Sequence, residues 1–280
     1  MITLGSRVVT AVPFPSTLIL DIGAAEFDST IHRYEALLSH PKSRLVGIEP
    51  NPTEYARLVA RYSGDNARTY LEVLLGDGRP QTFRLCRHPG KSSLYEPNKT
   101  LARLYGNSLD DLFVVDEHVH ETICLDNVPQ ALGAHLIKID TQGSELMILA
   151  EGLETLSGAL VVECEVEFVE QYVGQPLFSE VELFMRSHGF QFVKFLGYGT
   201  RLLKPLSIST DAGTQWLWSD ALFVKRLDRW QDLSDDDLLR VHHIMHIAYG
   251  AVDFAYVALS IMDARRSTRH AESYIATYRA

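Results

Sequence analysis

An acidic residue and a glycine end the first apolar segment of the chain, at a spacing that suits a ligand-binding turn. Residues 17–23 read TLILDIG, so Asp21 and Gly23 stand just before a helix-like segment. Glycine there lets the backbone approach a ligand closely, and a following helix start favours polar or anionic groups. The later glycines of the dinucleotide fingerprint GxGxxG are absent, since Ala25 and Asp28 take their places. The motif predicts a ligand turn and argues against a nicotinamide or flavin site, although a plain DxG turn is the alternative.

A second acid ends the second apolar segment. Residues 44–49 read RLVGIE, followed by Pro50, Asn51 and Pro52. An acid at the tip of the second strand can accept hydrogen bonds from both ribose hydroxyls of an adenosine ligand. The alternative is that Glu49 caps the next helix. Together with the first turn, this position favours the ribose role.

Two further acids lie at or just beyond the end of the apolar segment at residues 135–140, which reads HLIKID. Asp140 ends that segment and Glu145 lies just beyond it, at the sheet edge where ligands of open α/β folds bind. A carboxylate there can remove the proton of a hydroxyl substrate. The competing role is structural, with either acid capping the helix that begins near Ser144.

A magnesium site is a separate hypothesis for this edge. Glu163 and Glu165 alternate along the next strand and face one side, with Glu167 extending the set. Together with Asp140 they would supply the oxygen ligands that Mg²⁺ prefers. The opposing interpretation is that these glutamates face solvent, so no metal ligand is assigned.

Two other clusters have chemical potential. His242 and His246 are four residues apart, a spacing that can hold zinc, but no third ligand is evident nearby. We therefore expect these two and His243 to form an exposed helix face. The stretch WLWSD at residues 216–220 has flat aromatic faces that suit sugars, with core packing or a lid as the alternatives.

These side chains depend on alternating strands and helices for their positions. Apolar strand-like segments and amphipathic helix-like segments alternate, which is typical of a parallel sheet with helical crossovers. We expect strands at 17–23, 44–49, 70–75, 82–86, 118–125, 135–140, 159–168, 191–196 and 221–225, and helices at 30–39, 53–62, 144–156 and 179–188.

Five pieces of the sequence together resemble the FkbM-type methyltransferases. They are LDIGA at 20–24, IEPNP at 48–52, LGDG at 75–78, SSLYEPN at 92–98 and KIDTQGSELMILAEG at 138–152. The resemblance covers roughly residues 17–225. The sequence departs from the family at Ala25 and Phe27, where asparagine and glycine are usual, and this loosens the methionine side of the expected pocket.

The resemblance implies an α/β Rossmann-like methyltransferase fold, with a central, mostly parallel seven-stranded sheet and helices on both faces. It implies S-adenosylmethionine as cofactor and a hydroxyl of a sugar, glycoconjugate or natural product as acceptor; Mg²⁺ remains the separate hypothesis for the acids at the strand ends. Asp21 and Gly23 would flank the methionine portion, Glu49 would hold the ribose, and Asp77 would lie near the adenine. Asp140 is then the first choice of catalytic base, with Glu145 as its companion. The other implied cofactor contacts are Ala24, Pro50, Asn51, Gly76 and Ser93, with Ser92 in the same loop.

The C-terminal part has a different pattern. Ser234 can cap a helix whose first turn carries three aspartates. A heptad seam follows, at Leu238, Val241, Met245, Ala248, Val252, Ala255, Leu259 and Met262. We therefore divide the chain into a methyltransferase domain at 1–230 and a C-terminal helical extension at 231–280. The seam either packs on a partner subunit, giving a homo-oligomer, or covers its own domain, and Gly250 can split the helix.

Composition restricts the remaining possibilities. A formal charge of −10 argues against a nucleic-acid protein, which should carry a basic face. The three cysteines lack a CxxC spacing and the N-terminus lacks a signal-peptide pattern, so we expect a cytoplasmic protein without a membrane span. The leading hypothesis is an O-methyltransferase. The alternative is a catalytically degenerate binding or assembly module acting through the C-terminal helix, and a nicotinamide-dependent oxidoreductase comes last.

Overall fold

Parallel strands form the centre of the sheet, because their sequences are apolar enough to be buried on both faces. The computed structural model describes residues 12–27, 31–105, 108–206, 213–276 and 278, without the side chains of residues 108 and 109. Its strands are β1 (Thr17–Ile22), β2 (Ser43–Ile48), β3 (Arg68–Leu71), β4 (Gln81–Cys86), β5 (Val114–His120), β6 (Leu136–Ile139), β7 (Val161–Glu167), β8 (Phe190–Phe195), β9 (Gly199–Thr200) and β10 (Trp216–Lys225).

The main sheet has the order β3-β2-β1-β6-β7-β10-β8, and the two-residue β9 pairs with β10 at one end. The first five strands of this order are parallel, and β10 is antiparallel to both β7 and β8. β2 and β3 extend from one side of β1, whereas β6 and β7 extend from its other side. The strand order therefore reverses between β1 and β6. This is the point at which open α/β sheets bind ligands. The predicted mostly parallel, seven-stranded Rossmann-like sheet is confirmed, with β9 as an addition.

Helices cover both faces of this sheet. The structure contains α1 (Glu35–Leu38), α2 (Pro52–Arg61), α3 (Lys99–Ala102), α4 (Ser108–Asp111), α5 (Glu145–Ala150), α6 (Leu153–Gly158), α7 (Phe178–Ser187), α8 (Asp235–Ile247), α9 (Val252–Arg266) and α10 (His270–Ala276). One core contains residues of α5, α6 and α7, and the core on the opposite face contains residues of α8, α9 and α10. Among the described residues, none of these helices is long and apolar enough to cross a membrane.

The local sequence explains where two helices begin. Asn51 precedes α2, its side chain accepts the backbone N–H groups of Thr53 and Glu54, and Pro52 occupies the first helical position. Ser234 caps α8 by accepting the N–H of Asp237, as its position in the sequence predicts. Each cap satisfies backbone donors that a helix start otherwise leaves unpaired.

Several predicted element boundaries were wrong. The third strand lies at Arg68–Leu71 instead of 70–75, and the apolar residues after it line a cleft. The helix predicted at 30–39 extends only over Glu35–Leu38, and Thr30 lies outside the described residues. The helix predicted at 144–156 is divided into α5 and α6, with Gly152 packed against Leu125 between them.

The heptad seam is buried inside this chain. Helices α8 and α9 are separate, joined through Gly250 in a left-handed conformation, and they pack on the sheet core. Met245, Ala255 and Leu259 of the seam are fully buried there. The helices thus cover their own domain with the residues that the heptad pattern identified.

The expected exposed histidine face is also wrong. His242, His243 and His246 are buried, and burial lowers the pKa of His242 to about 3 and that of His243 to about 4. His242 is bonded to the carbonyl of Ala255 and His246 to the hydroxyl of Tyr274. The cluster therefore belongs to the core of the C-terminal helices.

Candidate functional site

A cleft of about 760 Å³ opens at the carboxyl ends of β1, β2 and β6. We call this the main cleft, and it lies where the strand order reverses, the usual ligand position of open α/β sheets. Its wall contains Gly23 after β1, Glu49 after β2 and Asp140 after β6. The three positions that the sequence singled out on separate strands thus meet at one site.

Gly23 allows two strands to approach each other at the base of the cleft. Its φ of +79° is a conformation that L side chains rarely adopt. A Cβ on Gly23 would lie 1.9 Å from the backbone oxygen of Asp140, which is impossible without moving the backbone. The amides of Gly23 and Ala24 both donate to the carbonyl of Ile48. Glycine is therefore required for the ends of β1, β2 and β6 to meet.

Glu49 holds two cleft segments together. Its Oε2 accepts the N–H of Ala25 at 3.0 Å, and its Oε1 accepts the N–H of Asn51 at 2.8 Å. Burial raises the pKa of this carboxyl to about 7. The two hydrogen bonds lower the pKa and the nearby charge of Glu54 raises it, but burial has the largest effect. Each carboxylate oxygen has a second lone-pair direction, so the group can also accept from a ligand in the cleft.

Asp21 lies below the cleft and is not part of its wall. It is fully buried, and its carboxylate accepts from the Tyr34 hydroxyl at 2.5 Å and lies 3.2 Å from the Lys138 Nζ. Burial alone would lower the pKa of Lys138, but Asp21 and the nearby acids reverse that effect and raise it. Asp21 therefore supports the loop after β1 through a buried ion pair. The sequence did not identify this partnership with Lys138.

The other predicted cofactor residues divide into two groups. Pro50, Asn51 and Ser92 line the main cleft. Ala24, Gly76, Asp77 and Ser93 lie outside its wall, three of them buried. The Asp77 carboxylate accepts from Gln81 at 2.7 Å, and this bond holds its pKa below the usual value.

Gln142 connects Asp140 to the acids of β7. Its side-chain Nε2 donates to Asp140 Oδ1 at 2.8 Å and to Glu165 Oε2 at 2.5 Å. Its Oε1 accepts from Lys91 at 2.9 Å and from Tyr172 at 3.0 Å. Its own backbone has a φ of +55°, unusual for a residue with a side chain. The sequence motif contained Gln142, but nothing in it signalled this bridging role.

The pKa values of Asp140 and Glu165 are shifted in opposite directions. Burial raises the pKa of Asp140, but Lys138 and the hydrogen bond with Glu165 outweigh it and the net pKa is lowered. Burial and the Asp140 charge raise the pKa of Glu165 well above its usual value. Asp140 is therefore the more acidic of the two carboxyls and the more readily ionised.

Glu145 has the geometry of a cap. Its Oε1 accepts the N–H of Thr141 at 2.6 Å, and its Oε2 accepts the N–H of Gly143 at 2.9 Å. It is buried outside the main-cleft wall, and burial raises its pKa to about 7. The carboxyl thus holds the turn that leads from Asp140 into α5.

Three acids near the end of β6 come together, but not the set that the magnesium hypothesis named. Asp140, Glu145 and Glu165 each offer an oxygen within 4.8 Å of the others. However, the Gln142 amide nitrogen already donates to two of these three carboxyls. Glu163 points to other partners, since it binds Arg33 and Tyr249. Gln142 thus occupies acceptor positions that a cation would use, and we assign no metal ion to this group. Glu163, Glu165 and Glu167 are all buried, and the expectation that they face solvent was wrong.

The aromatic stretch of β10 has two environments. Trp218 lies 4.9 Å from the Lys91 Nζ and 5.1 Å from the Arg201 Cζ, both over its ring. Trp216 is partly exposed and stacks on Tyr198 at 4.6 Å between ring centroids. Lys91, which binds Gln142, thus links the aromatic stretch to Asp140.

One family and one curated relative match much of the chain. The family described as the methyltransferase FkbM domain matches residues 21–192. The chain is 26% identical over 189 residues to the 2-O-methyltransferase NoeI of Sinorhizobium fredii, covering 63% of this chain and 74% of that relative.

Solved structures also resemble the chain at low identity. A methyltransferase FkbM from Methylobacillus flagellatus matches with a TM-score of 0.41 and 15% identity, over 76% of this chain and 44% of that one. The magnesium protoporphyrin IX methyltransferase of Synechocystis, solved with bound SAM, matches with a TM-score of 0.36 and 11% identity, over 76% and 71%.

Proposed function

The chain belongs to the FkbM methyltransferase family, and on this premise we propose that it transfers a methyl group from S-adenosylmethionine to a hydroxyl oxygen. The acceptor we propose is a sugar, glycoconjugate or natural product. The methylated oxygen is supported by the name of the relative, a 2-O-methyltransferase. One observation carries the proposal: Glu49 and Asp140 lie in the wall of the same cleft, on either side of the turn at Gly23.

The main cleft fits the proposed cofactor. Glu49 offers acceptor positions for two ribose hydroxyls while its backbone bonds hold it in place. Beyond it, Val73, Leu74 and Leu75 give an apolar wall that suits a flat base. When bound, S-adenosylmethionine supplies an electrophilic methyl group on a sulfonium centre.

Asp140 performs the proton step in this proposal. The acceptor hydroxyl gives its proton to the Asp140 carboxylate as its oxygen gains the methyl group. Lys138 and the bond from Gln142 keep that carboxylate ionised and fixed in orientation. The remaining contribution of the protein is positioning, because an in-line displacement needs its reacting atoms aligned and close.

Calorimetric titration with S-adenosylhomocysteine, with NAD as a control, tests the cofactor assignment. Binding of the homocysteine compound alone, at micromolar affinity, is the expected result. Transfer of labelled methyl from S-adenosylmethionine to a panel of glycosides then tests the reaction. A protein that binds neither compound would reject the assignment and favour an assembly module.

A further inference from the structure

A second cleft shares a wall with the main cleft. It is an open depression of about 870 Å³ including the solvent at its mouth, and we call it the side cleft. Ala25, Phe27 and Asp140 border both clefts, so Asp140 is accessible from two sides of the turn after β1. The side cleft is also lined by charged residues of four segments, Arg33, Lys138, Glu163 and Asp220.

The charges of the side cleft are paired. Arg33 Nη1 lies 2.6 Å from Glu163 Oε1 and 3.2 Å from Asp220 Oδ2. The Lys138 Nζ is paired with Asp21 below the cleft floor. The side chains of Arg33 and Asp220 are 36% and 32% exposed, so both present polar atoms to the opening. A lining of paired donors and acceptors suits a neutral, polyhydroxylated ligand better than an ion.

The C-terminal helical part supports this wall from behind. Tyr249 lies between α8 and α9 and is nearly buried, and its hydroxyl donates to Glu163 Oε2 at 2.9 Å. The Tyr249 carbonyl accepts from Lys194 at 3.2 Å. Glu163 is therefore held between Tyr249 on one oxygen and Arg33 on the other. Arg33 is fixed in turn by the Leu196 carbonyl at 3.0 Å.

We propose that the side cleft binds the acceptor, that Arg33 and Asp220 contact it directly, and that Tyr249 positions Arg33 through Glu163. This inference rests on the proposed function, because it takes Asp140 as the point where acceptor and cofactor meet. Asp220 and Tyr249 lie beyond residue 192, where the family match ends. Acceptor choice is thus set partly by residues outside the matched region.

Saturation-transfer NMR with methyl glycosides of common hexoses, on protein saturated with S-adenosylhomocysteine, tests the acceptor site. We expect Arg33→Met and Asp220→Asn each to weaken glycoside binding by ~10-fold, the loss of a hydrogen bond to a charged group. The matched control is Arg87→Met, which removes an exposed arginine paired with Asp110, away from both clefts. Unchanged glycoside binding in both test variants would overturn the site. So would a wild-type protein that contacts no glycoside at millimolar concentration.

A pair of tyrosine variants tests the positioning role. Tyr249→Phe removes the hydroxyl from Glu163, whereas Tyr274→Phe removes a buried hydroxyl that is bonded to His246 within the C-terminal helices. In glycoside methylation we expect Tyr249→Phe to raise the KM for the glycoside several-fold with a smaller change in kcat, and Tyr274→Phe to change neither. Equal effects of the two variants would mean that Tyr249 only stabilises the fold.

The cofactor titration separates the two proposals. If S-adenosylhomocysteine does not bind the wild type, the proposed function fails, and glycoside binding is then measured on the free protein. If S-adenosylhomocysteine binds all variants within twofold but glycoside binding is unaffected, only the acceptor site fails.

Discussion

The carboxylate of Glu49 accepts a hydrogen bond from the backbone N–H of Ala25 at 3.0 Å, and both residues line the main cleft. Ala25 belongs to the turn after β1, and Glu49 follows β2, so this bond connects the two loops that border the proposed ribose position. One side chain thus shapes the cleft and offers its remaining lone pairs to the ligand. Substitutions at this position therefore affect both roles together.

Replacing Glu49 tests the ribose assignment. We expect Glu49→Ala to weaken S-adenosylhomocysteine binding by ~100-fold, because hydrogen bonds to a charged group contribute about 1.5–3 kcal/mol each. Glu49→Gln keeps one acceptor oxygen and should lose less. Calorimetry measures both, with the exposed Glu121→Gln as control. Full affinity in a folded Glu49→Ala protein would rule out the ribose role.

The pH dependence of cofactor binding follows from the raised pKa of Glu49, about 7 in the free protein. A ligand whose hydroxyl groups donate hydrogen bonds to Glu49 favours the ionised carboxylate. The affinity should therefore rise with pH up to about 7 and then level off, and below pH 7 binding should release a proton from Glu49. Glu49→Gln should remove this part of the rise. Calorimetry between pH 5.5 and 8.5 in two buffers of different ionisation enthalpy measures it. An identical slope in wild type and variant would contradict the prediction.

The same shift has the opposite consequence for the stability of the free protein. Between the usual value of 4.5 and about 7, native Glu49 keeps its proton while the unfolded chain releases it. The contribution of this group to stability is therefore present below 4.5 and is lost as pH rises through 7. In urea unfolding, the wild type should lose stability relative to Glu49→Gln over this window.

Asp140→Asn tests the catalytic base. The amide keeps an acceptor for Gln142 but cannot take a proton, so we expect kcat to fall by ~100-fold or more. Affinity for S-adenosylhomocysteine should stay within a few-fold, since the change is nearly isosteric. Methyl-transfer kinetics and calorimetry measure the two effects, with the exposed Asp116→Asn as control. A variant with wild-type kcat would remove Asp140 from the chemistry.

Glu145 should affect stability more than chemistry. Glu145→Ala leaves the amides of Thr141 and Gly143 without their acceptor, and a buried unsatisfied group costs about 1–3 kcal/mol. Glu145→Gln keeps one acceptor oxygen and should be milder. Urea unfolding measures the difference. If both variants lose activity without losing stability, Glu145 has a catalytic role instead of a capping one.

The sequence predicted the parallel strands well because they are buried on both faces. β1, β2 and β6 were each placed within one residue at either end, since a doubly buried strand is a short continuous apolar run. The same signal misplaced the third strand, because Val73, Leu74 and Leu75 are apolar as cleft wall. An apolar run in the sequence does not show whether its residues form a buried strand or line a cleft.

Polar residues in the core were the main source of error. His242 and Glu163 look like surface residues in the sequence, but tertiary partners at Ala255 and Arg33 make their burial possible. Those partners are 13 and 130 residues away along the chain, so no local pattern reveals them. The positions of Glu49 and Asp140 at strand ends were predictable for the opposite reason, because strand ends are local features.

The seam of the C-terminal helices gives the last prediction, which distinguishes self-packing from oligomer contacts. Leu259 is a residue of α9 that is fully buried against the sheet core, whereas Val257 on the same helix is 40% exposed. Leu259→Ala should lower the free energy of unfolding by about 2–5 kcal/mol, the usual cost of a buried leucine. Val257→Ala should change it by less than about 0.5 kcal/mol, as surface substitutions do.

A second measurement uses protein concentration. Because Leu259 packs within its own chain, the loss of Tm in Leu259→Ala should be the same at every protein concentration, whereas the loss of an oligomer contact would make it depend on concentration. Melting curves at two concentrations a hundredfold apart decide the matter, and a Leu259→Ala loss that changes with concentration would place the seam between subunits.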